Sequence, residues 1–246
     1  MIRRLRSIWI WGASASVIVF WCPVLAVVWL FDHDPVKRRT GRWYRSLGRV
    51  LGKINPWRIH LSGAENKKPG QAYVVVSNHQ SLADIPLIAH LVNDSKWLAK
   101  AELFRVPVVG WMLRMAHDIP VDRSDRRKAA QAMLRCARTL RQGCSIVFFP
   151  EGTRSKDGEI HAFNDGPFQL ALREHTPILP MVLEGSGAAL PRNTWIFGPT
   201  QDIYVRALEP VPVDGWDARE PAALRDAVRQ KMVDELKRLR GGPGPA

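Results

Sequence analysis

From Ile8 to Phe31 the chain runs for 24 residues without a charge (IWIWGASASVIVFWCPVLAVVWLF), with basic residues on both sides. A helix of that length crosses the hydrocarbon core of a bilayer, so one end of the molecule is expected in a membrane. The basic start at Arg3, Arg4 and Arg6 also fits a signal peptide. Against a cleaved one stand the length of the run and the lack of a small-x-small site before the next basic stretch. Cations at both ends leave the orientation open. Pro23 allows a mid-membrane kink, and with it a helix that enters and returns on one side.

Residues 1–58 hold eleven Lys or Arg and two Asp, which is +9 of the net charge of +13. The remaining 188 residues are therefore nearly balanced at +4. A nucleic-acid-binding protein would spread its cations over the folded domain among aromatics, and this segregation argues against that class. Lys37 to Trp57 reads as a second helix. Trp43, Leu47, Val50, Leu51 and Ile54 form a narrow apolar stripe, with Arg38, Arg42, Arg45, Arg49 and Lys53 opposite. An all-basic polar face beside an apolar anchor predicts a helix lying on anionic headgroups. A helix packed on its own domain would show the same stripe. Gly41, Gly48 and Gly52 weaken it in isolation. Residues 1–58 thus read as a membrane-anchoring segment, 59–240 as the folded domain and 241–246 as a flexible tail.

From about Arg58 short apolar runs alternate with helical patterns, the mark of an α/β domain. Tyr73–Ser77, Ile146–Phe149 and Ile178–Leu183 read as buried strands. Ala129–Arg141 reads as a helix with Ala130, Met133, Leu134, Ala137 and Leu140 inward, stopped by Gly143. Phe168–His175 is a shorter helix, and Leu224, Val228, Met232, Leu236 and Leu239 mark a C-terminal one starting near Pro221. Cys22, Cys136 and Cys144 make no Cys-x-x-Cys pair, so neither a disulfide framework nor a metal site is expected.

Ligands in open α/β sheets gather at the carboxyl ends of strands. Two such places concentrate ionisable groups: Asn78-His79-Gln80-Ser81-Leu82-Ala83-Asp84, and Pro150-Glu151-Gly152-Thr153-Arg154-Ser155. Histidine takes a proton from a hydroxyl near neutral pH when an acceptor fixes its tautomer. Asp84 can be that acceptor only if His79 lies in the turn and Asp84 in the first turn of the helix, a start that Pro86 favours. A capping box from Ser81 to Asp84 is the alternative. Arg154 and Arg123 each follow a strand-like run and offer forks suited to phosphate. Gly152 permits close approach, and Glu151 either meets a substrate hydroxyl or holds Arg154. Around Ser186 the sequence lacks the first glycine of a G-x-S-x-G elbow, so a serine nucleophile is not indicated.

NHQSLAD and FPEGTRS resemble the N-H-x-x-x-x-D and F-P-E-G-T-R-S motifs of the glycerolipid acyltransferases. Lys100–Arg123, with Pro107 and Gly110, resembles the family's second block, and ILPMVL with Glu184-Gly185-Ser186-Gly187 its fourth. One departure is Asn164, where the family often has a basic residue. The resemblance implies a single domain with a central mixed sheet flanked by helices, and acyl transfer from acyl-CoA or acyl-carrier protein to the free hydroxyl of a lysophospholipid. The acceptor it favours is 1-acyl-glycerol-3-phosphate, giving phosphatidic acid, with other lysolipids such as lyso-ornithine lipid as the alternative. His79 would be the general base and Asp84 its orienting partner. Arg123 and Arg154 would hold the phosphate, with Asn78, Lys100, Glu151, Gly152 and Thr153 completing the substrate site. No metal and no cofactor beyond the donor is expected. The implied location is the inner (cytoplasmic) membrane, with the domain on its cytosolic face against anionic lipid.

Overall fold

The computed structural model describes residues 1–122 and 124–241. The sequence's uncharged run lies within one unbroken helix, α1 (Ile2–Leu30), which continues through Pro23 without a turn back. It is long and apolar enough to cross a membrane, and only 11% of its most apolar window is buried. Helix α2 (Arg38–Ile54) returns against it. Asp32 staples the turn between them, its Oδ2 accepting the amide and hydroxyl of Thr40, both at 2.7 Å.

The expectation for α2 needs correction. Its buried face holds Thr40, Gly41, Arg45, Leu47, Gly48 and Gly52, so it is mixed rather than apolar, and it lies on the domain. Glycines remove the side chains that would keep α2 away. A Cβ on Gly48 would stand 2.6 Å from the carbonyl oxygen of Pro86, and one on Gly41 2.6 Å from Nζ of Lys96. Arg45 is not on the outer face. It is buried, pairs with the buried carboxylate of Asp118 and sits over the rings of Tyr44 and Trp97. Residues 1–58 are therefore built into the fold instead of standing apart from it, although Arg42, Arg49 and Lys53 do remain exposed.

Beyond them the chain forms β1 (Trp57–Ser62), β2 (Val74–Ser77), α3 (Asp84–Ile88), β3 (Ser95–Lys100), α4 (Val109–Met115), β4 (Ile119–Val121) and α5 (Arg126–Arg141). Then follow β5 (Ser145–Phe148), α6 (Gly166–Arg173), β6 (Ile178–Glu184), α7 (Ser186–Ala189), β7 (Gln201–Ala207) and α8 (Pro221–Gly241). The seven strands form one mixed sheet in the order β1-β7-β6-β2-β5-β3-β4, with β6 and β7 antiparallel and every other pair parallel. The central strands are buried on both faces, which is why they read as continuous β-branched and aromatic runs.

Alternation along these strands separates two layers. Val74, Val76, Ile146 and Phe148 face α5, α6 and α8. Val75, Val147, Leu179 and Met181 face α3 and Ile10 of α1. The domain is thus a three-layer α/β unit whose helical anchor belongs to one layer. Of the predicted tail, only Gly241 lies within the described residues, as the last residue of α8.

Candidate active site

The turn after β2 is folded around one carboxylate. Asp84 opens α3 and is fully buried; its Oδ2 lies 2.8 Å from Nδ1 of His79 and accepts the amides of Gln80 at 2.7 Å and Ser81 at 2.9 Å. The bond to Ser81 is the acidic half of the capping box, so capping and orientation of the histidine are performed by the same oxygen. A carboxylate there requires Nδ1 to carry the proton, which leaves Nε2 as the acceptor face. The ring stacks on Phe149, with centroids 4.0 Å apart and planes 18° apart.

The loop after β5 holds the same histidine by its backbone. Glu151 Oε1 accepts the His79 amide at 3.0 Å, and the Ser155 amide donates to the His79 carbonyl at 2.7 Å. The other oxygen of Glu151 accepts the amide of His161 at 3.2 Å. Burial pushes the Glu151 carboxyl above the ordinary range, although both amides and the nearby histidines oppose that. Each oxygen thus accepts a backbone amide and neither pairs with Arg154, so the hold on Arg154 expected of Glu151 is corrected to a brace between two loops. Asn78 is corrected in the same way. Its amide nitrogen donates to the Leu183 carbonyl and its oxygen accepts the Leu183 amide, each at 2.9 Å, which ties β2 to β6.

Lys100 and Arg154 remain as cations at this edge. Lys100 ends β3, where it is exposed and pairs in register with Val121 of β4. Arg154 is half-buried, with its carbonyl held by Arg192 at 2.5 Å. Thr153 is exposed, and Gly152 has φ +76, a backbone conformation that a side chain would strain. Arg123 lies outside the described residues. Asn164 donates its amide nitrogen to the Pro150 carbonyl at 2.7 Å, so the residue that departs from the family pattern anchors the motif loop. Ser186 is fully buried and donates to Gln80 Oε1 at 3.4 Å; among the described residues that amide oxygen, not a base, is its side-chain partner.

An apolar cavity of about 230 Å³ opens beside the turn, between α2, α3 and α4. Leu82, Ile85 and Leu103 line it and are partly exposed, while Leu47, Trp97 and Leu113 lie deeper. Trp97 touches Phe149, the ring under His79, with centroids 5.9 Å apart. Among the described residues no cluster of three or more His, Cys, Asp or Glu could hold a metal ion.

Several contributors carry no signal in the motifs. Arg229 of α8 donates to the carbonyls of Ile160 and His161 at 2.6 and 2.8 Å, and Arg240 donates to that of Gly158 at 2.8 Å. The C-terminal helix thereby holds the segment whose His161 amide holds Glu151. Phe149 was findable, because it is the first residue of the second motif; the two arginines were not, since nothing in an amphipathic helix marks which cations reach a distant loop.

The family model described as Acyltransferase matches residues 58–184, just over half of the chain. The chain is 32% identical over 240 residues to a chloroplastic 1-acyl-sn-glycerol-3-phosphate acyltransferase of Arabidopsis thaliana, covering 95% of this chain and 65% of that protein. With the human 1-acyl-sn-glycerol-3-phosphate acyltransferase alpha it shares 34% over 191 residues, 75% of this chain and 67% of the relative. A solved structure, the 1-acyl-sn-glycerophosphate (LPA) acyltransferase of Thermotoga maritima, superposes with a TM-score of 0.85 at 25% identity, covering 99% and 98% of the two chains. The chain spans somewhat less than two thirds of the length of the Arabidopsis and Brassica napus relatives, 65% and 64%. On the family match and these identities, the chain belongs to the acyltransferase family.

Proposed function

We propose that the protein moves a fatty acyl group from a thioester to the free hydroxyl of a lysophospholipid, with 1-acyl-glycerol-3-phosphate as acceptor and phosphatidic acid as product. The observation that carries this reading is the His79–Asp84 pair beside an apolar cavity, at an edge that also bears Lys100 and Arg154. Nε2 of His79 takes the hydroxyl proton as the acceptor oxygen bonds to the thioester carbonyl carbon. The carbon–sulfur bond then breaks, and the proton passes from His79 to the departing thiolate. Asp84 stabilises the imidazolium meanwhile. No covalent enzyme intermediate is needed, because the thioester is already activated.

Lys100 and Arg154 supply charge for the acceptor's phosphate, and the cavity takes an acyl chain. Exposed apolar residues of α1, such as Trp9, Phe20 and Val27, seat the enzyme in a bilayer, where the acceptor's single chain stays in the leaflet. The relatives named as acting on 1-acyl-sn-glycerol-3-phosphate support this acceptor.

The test offers purified protein a labelled acyl donor and a panel of lysolipids. Label is expected in phosphatidic acid, with turnover falling by about 10² to 10⁴ in His79→Ala. Near-normal turnover in a folded His79→Ala protein would overturn the mechanism. Arg154→Ala separates acceptors, since it costs much with a phosphate-bearing lysolipid and little with a phosphate-free one.

A further inference from the structure

Lys96 stands out at the start of β3. It is 1% exposed, and a lysine buried so completely is rare without an anion. Among the described residues its Nζ donates to two backbone carbonyls, those of Lys37 at 2.9 Å and Ala116 at 2.7 Å, and no carboxylate lies within ion-pair range. Burial holds the amine below the ordinary lysine range, against the pull of Asp118.

The same lysine lines an open cavity of about 610 Å³, bounded by Pro35 and Val36 of the α1–α2 turn, by the end of α4 and by the last half of α5. Arg114, Arg135 and Arg138 line it too, with His117 beside them. The three arginines are exposed and pair with no carboxylate among the described residues. Leu134, placed inward by its spacing, is instead 51% exposed next to Arg135, so α5 turns more of itself outward than its pattern suggests. The one acid in the lining, Asp118, is already engaged by Arg45 and by the Trp97 amide. Four like charges around one space, with no acid to spare, raise one another's energy, and an anion from outside relieves it. Arginine forks suit the oxygens of a phosphate.

This cavity is not the place of the acceptor's phosphate. Lys96 is level with Ile146 of β5, and Ile146 with Val74 of β2. That level lies three residues, about 10 Å, before β2 ends at Ser77, and two strands, about another 10 Å, to its side. No residue of NHQSLAD or FPEGTRS lines it. The cavity lies instead where the membrane-facing helix ends. Leu30 and Phe31 are 63% and 67% exposed just ahead of Pro35, and Lys37 stands over the Trp29 ring, 5.3 Å from its centroid. A tryptophan and a lysine so placed mark the level of the headgroups. Basic pockets at the aqueous end of membrane helices hold anionic headgroups, and the volume suits a whole small molecule rather than a bare ion.

We propose that the cavity binds the phosphate of an anionic phospholipid headgroup, from a lipid other than the acceptor, taken from the leaflet against which α1 lies. Arg135 and Arg138 meet the phosphate from α5 and Arg114 from α4, with the Lys96 amine behind them, while Trp29, Leu30 and Phe31 take the lipid's chains. The phosphate ties the end of α4 to α5 and to the turn, and α4 carries Val109 and Leu113 into the wall of the apolar cavity near His79. The inference rests on the proposed seating of α1 in a bilayer and is independent of acyl transfer.

The experiment titrates the full chain, in neutral detergent micelles, with phosphatidylglycerol, phosphatidylcholine or inorganic phosphate and follows Tm, which a ligand of the folded state raises. Wild type should show a saturating rise with phosphatidylglycerol and a much smaller one with phosphatidylcholine. Arg135→Gln/Arg138→Gln should need at least about tenfold more phosphatidylglycerol for the same rise. Arg126→Gln/Arg127→Gln removes the same charge from the same helix, eight or more residues and about 12 Å away, and should move the midpoint less than about twofold. Equal shifts in the two variants would reduce the effect to diffuse charge and overturn the proposal, as would no rise in the wild type. The same rise with inorganic phosphate would assign the cavity to a soluble ligand and overturn the lipid. Arg154→Ala should keep the response, and losing it there would place the lipid in the catalytic cleft and overturn the second site. Flotation with phosphatidylcholine vesicles tests the seating of α1 separately: a chain that floats but gains no stability from phosphatidylglycerol loses the headgroup site alone.

Discussion

The turn after β2 and helix α2 both bury a carboxylate with a basic partner, yet they are wired at different ranges. Asp84 meets His79, Gln80 and Ser81 within five residues of itself. Asp118 meets Arg45, 73 residues earlier in the chain. The first arrangement is a local turn, and ionisable residues at the end of an apolar run disclose it. The second depends on a helix approaching closely enough to bury an arginine, which only glycines in contact with Pro86 and Lys96 permit. Local wiring sets chemistry where a motif says it should be. Long-range wiring decides which side of a helix is inside.

The largest effect belongs to the local turn. Asp84→Asn retains size and an acceptor oxygen but removes the charge that stabilises the imidazolium, so activity should fall by about 10³ with smaller change in Tm. Asp84→Ala would also free the amides of Gln80 and Ser81 and should lower Tm clearly. If Asp84→Asn kept most of its turnover, the aspartate would be a cap and nothing more.

For the long-range pair the order of effects reverses. Arg45→Met removes the cation paired with the buried Asp118 and leaves only the more distant charge of Lys96, so it should cost about 3–5 kcal/mol in unfolding measurements. Restoring neutrality with Asp118→Asn in the same chain should recover much of that loss. A headgroup-binding Arg45 would behave otherwise, weakening vesicle binding at unchanged Tm. Gly48→Ala tests the approach itself. The added carbon meets a backbone oxygen rather than a mobile side chain, and overpacking of this kind costs about 1–3 kcal/mol.

These cases also mark what could be read in advance. The central strands were legible because both their faces are buried, and a run such as Val74–Val76 has few other uses. The place of His79 and Asp84 was legible because Pro86 limits where α3 can start. Arg45 was misplaced because its helix period is satisfied equally by lipid outside or by Asp118 inside. Asn78 and Glu151 were given to substrate because a polar residue in a motif looks the same whether it faces the ligand or braces the loop. That difference lies in partners more than 70 positions away, Leu183 for Asn78 and His79 for Glu151.

Arg229 offers a smaller and more selective break. In Arg229→Met the carbonyls of Ile160 and His161 lose their donor, and slack reaches His79 through Glu151. The expected fall in kcat is about tenfold, with partial rescue in Arg229→Lys. Arg225→Met is the control on the same helix. It removes ion pairs to Asp165 and Asp226 but touches none of that loop, so it should alter Tm alone.

The smallest effect concerns pH. Because burial raises the Glu151 carboxyl, the folded protein holds that proton more tightly than the unfolded chain does. The stability it contributes is fully present below the ordinary glutamate value and is lost as pH rises through the raised one. At neutral pH the ionised brace is thus a burden on stability, though its two amide bonds need the charge. Glu151→Gln should remove this share of the pH slope in unfolding titrations over that interval. It should also lower activity, because the amide's nitrogen cannot accept a second backbone N–H. Were the variant to keep both the slope and full turnover, Glu151 would not be the link between the two loops, and His79 would be held by Asp84 and the Ser155 amide without it.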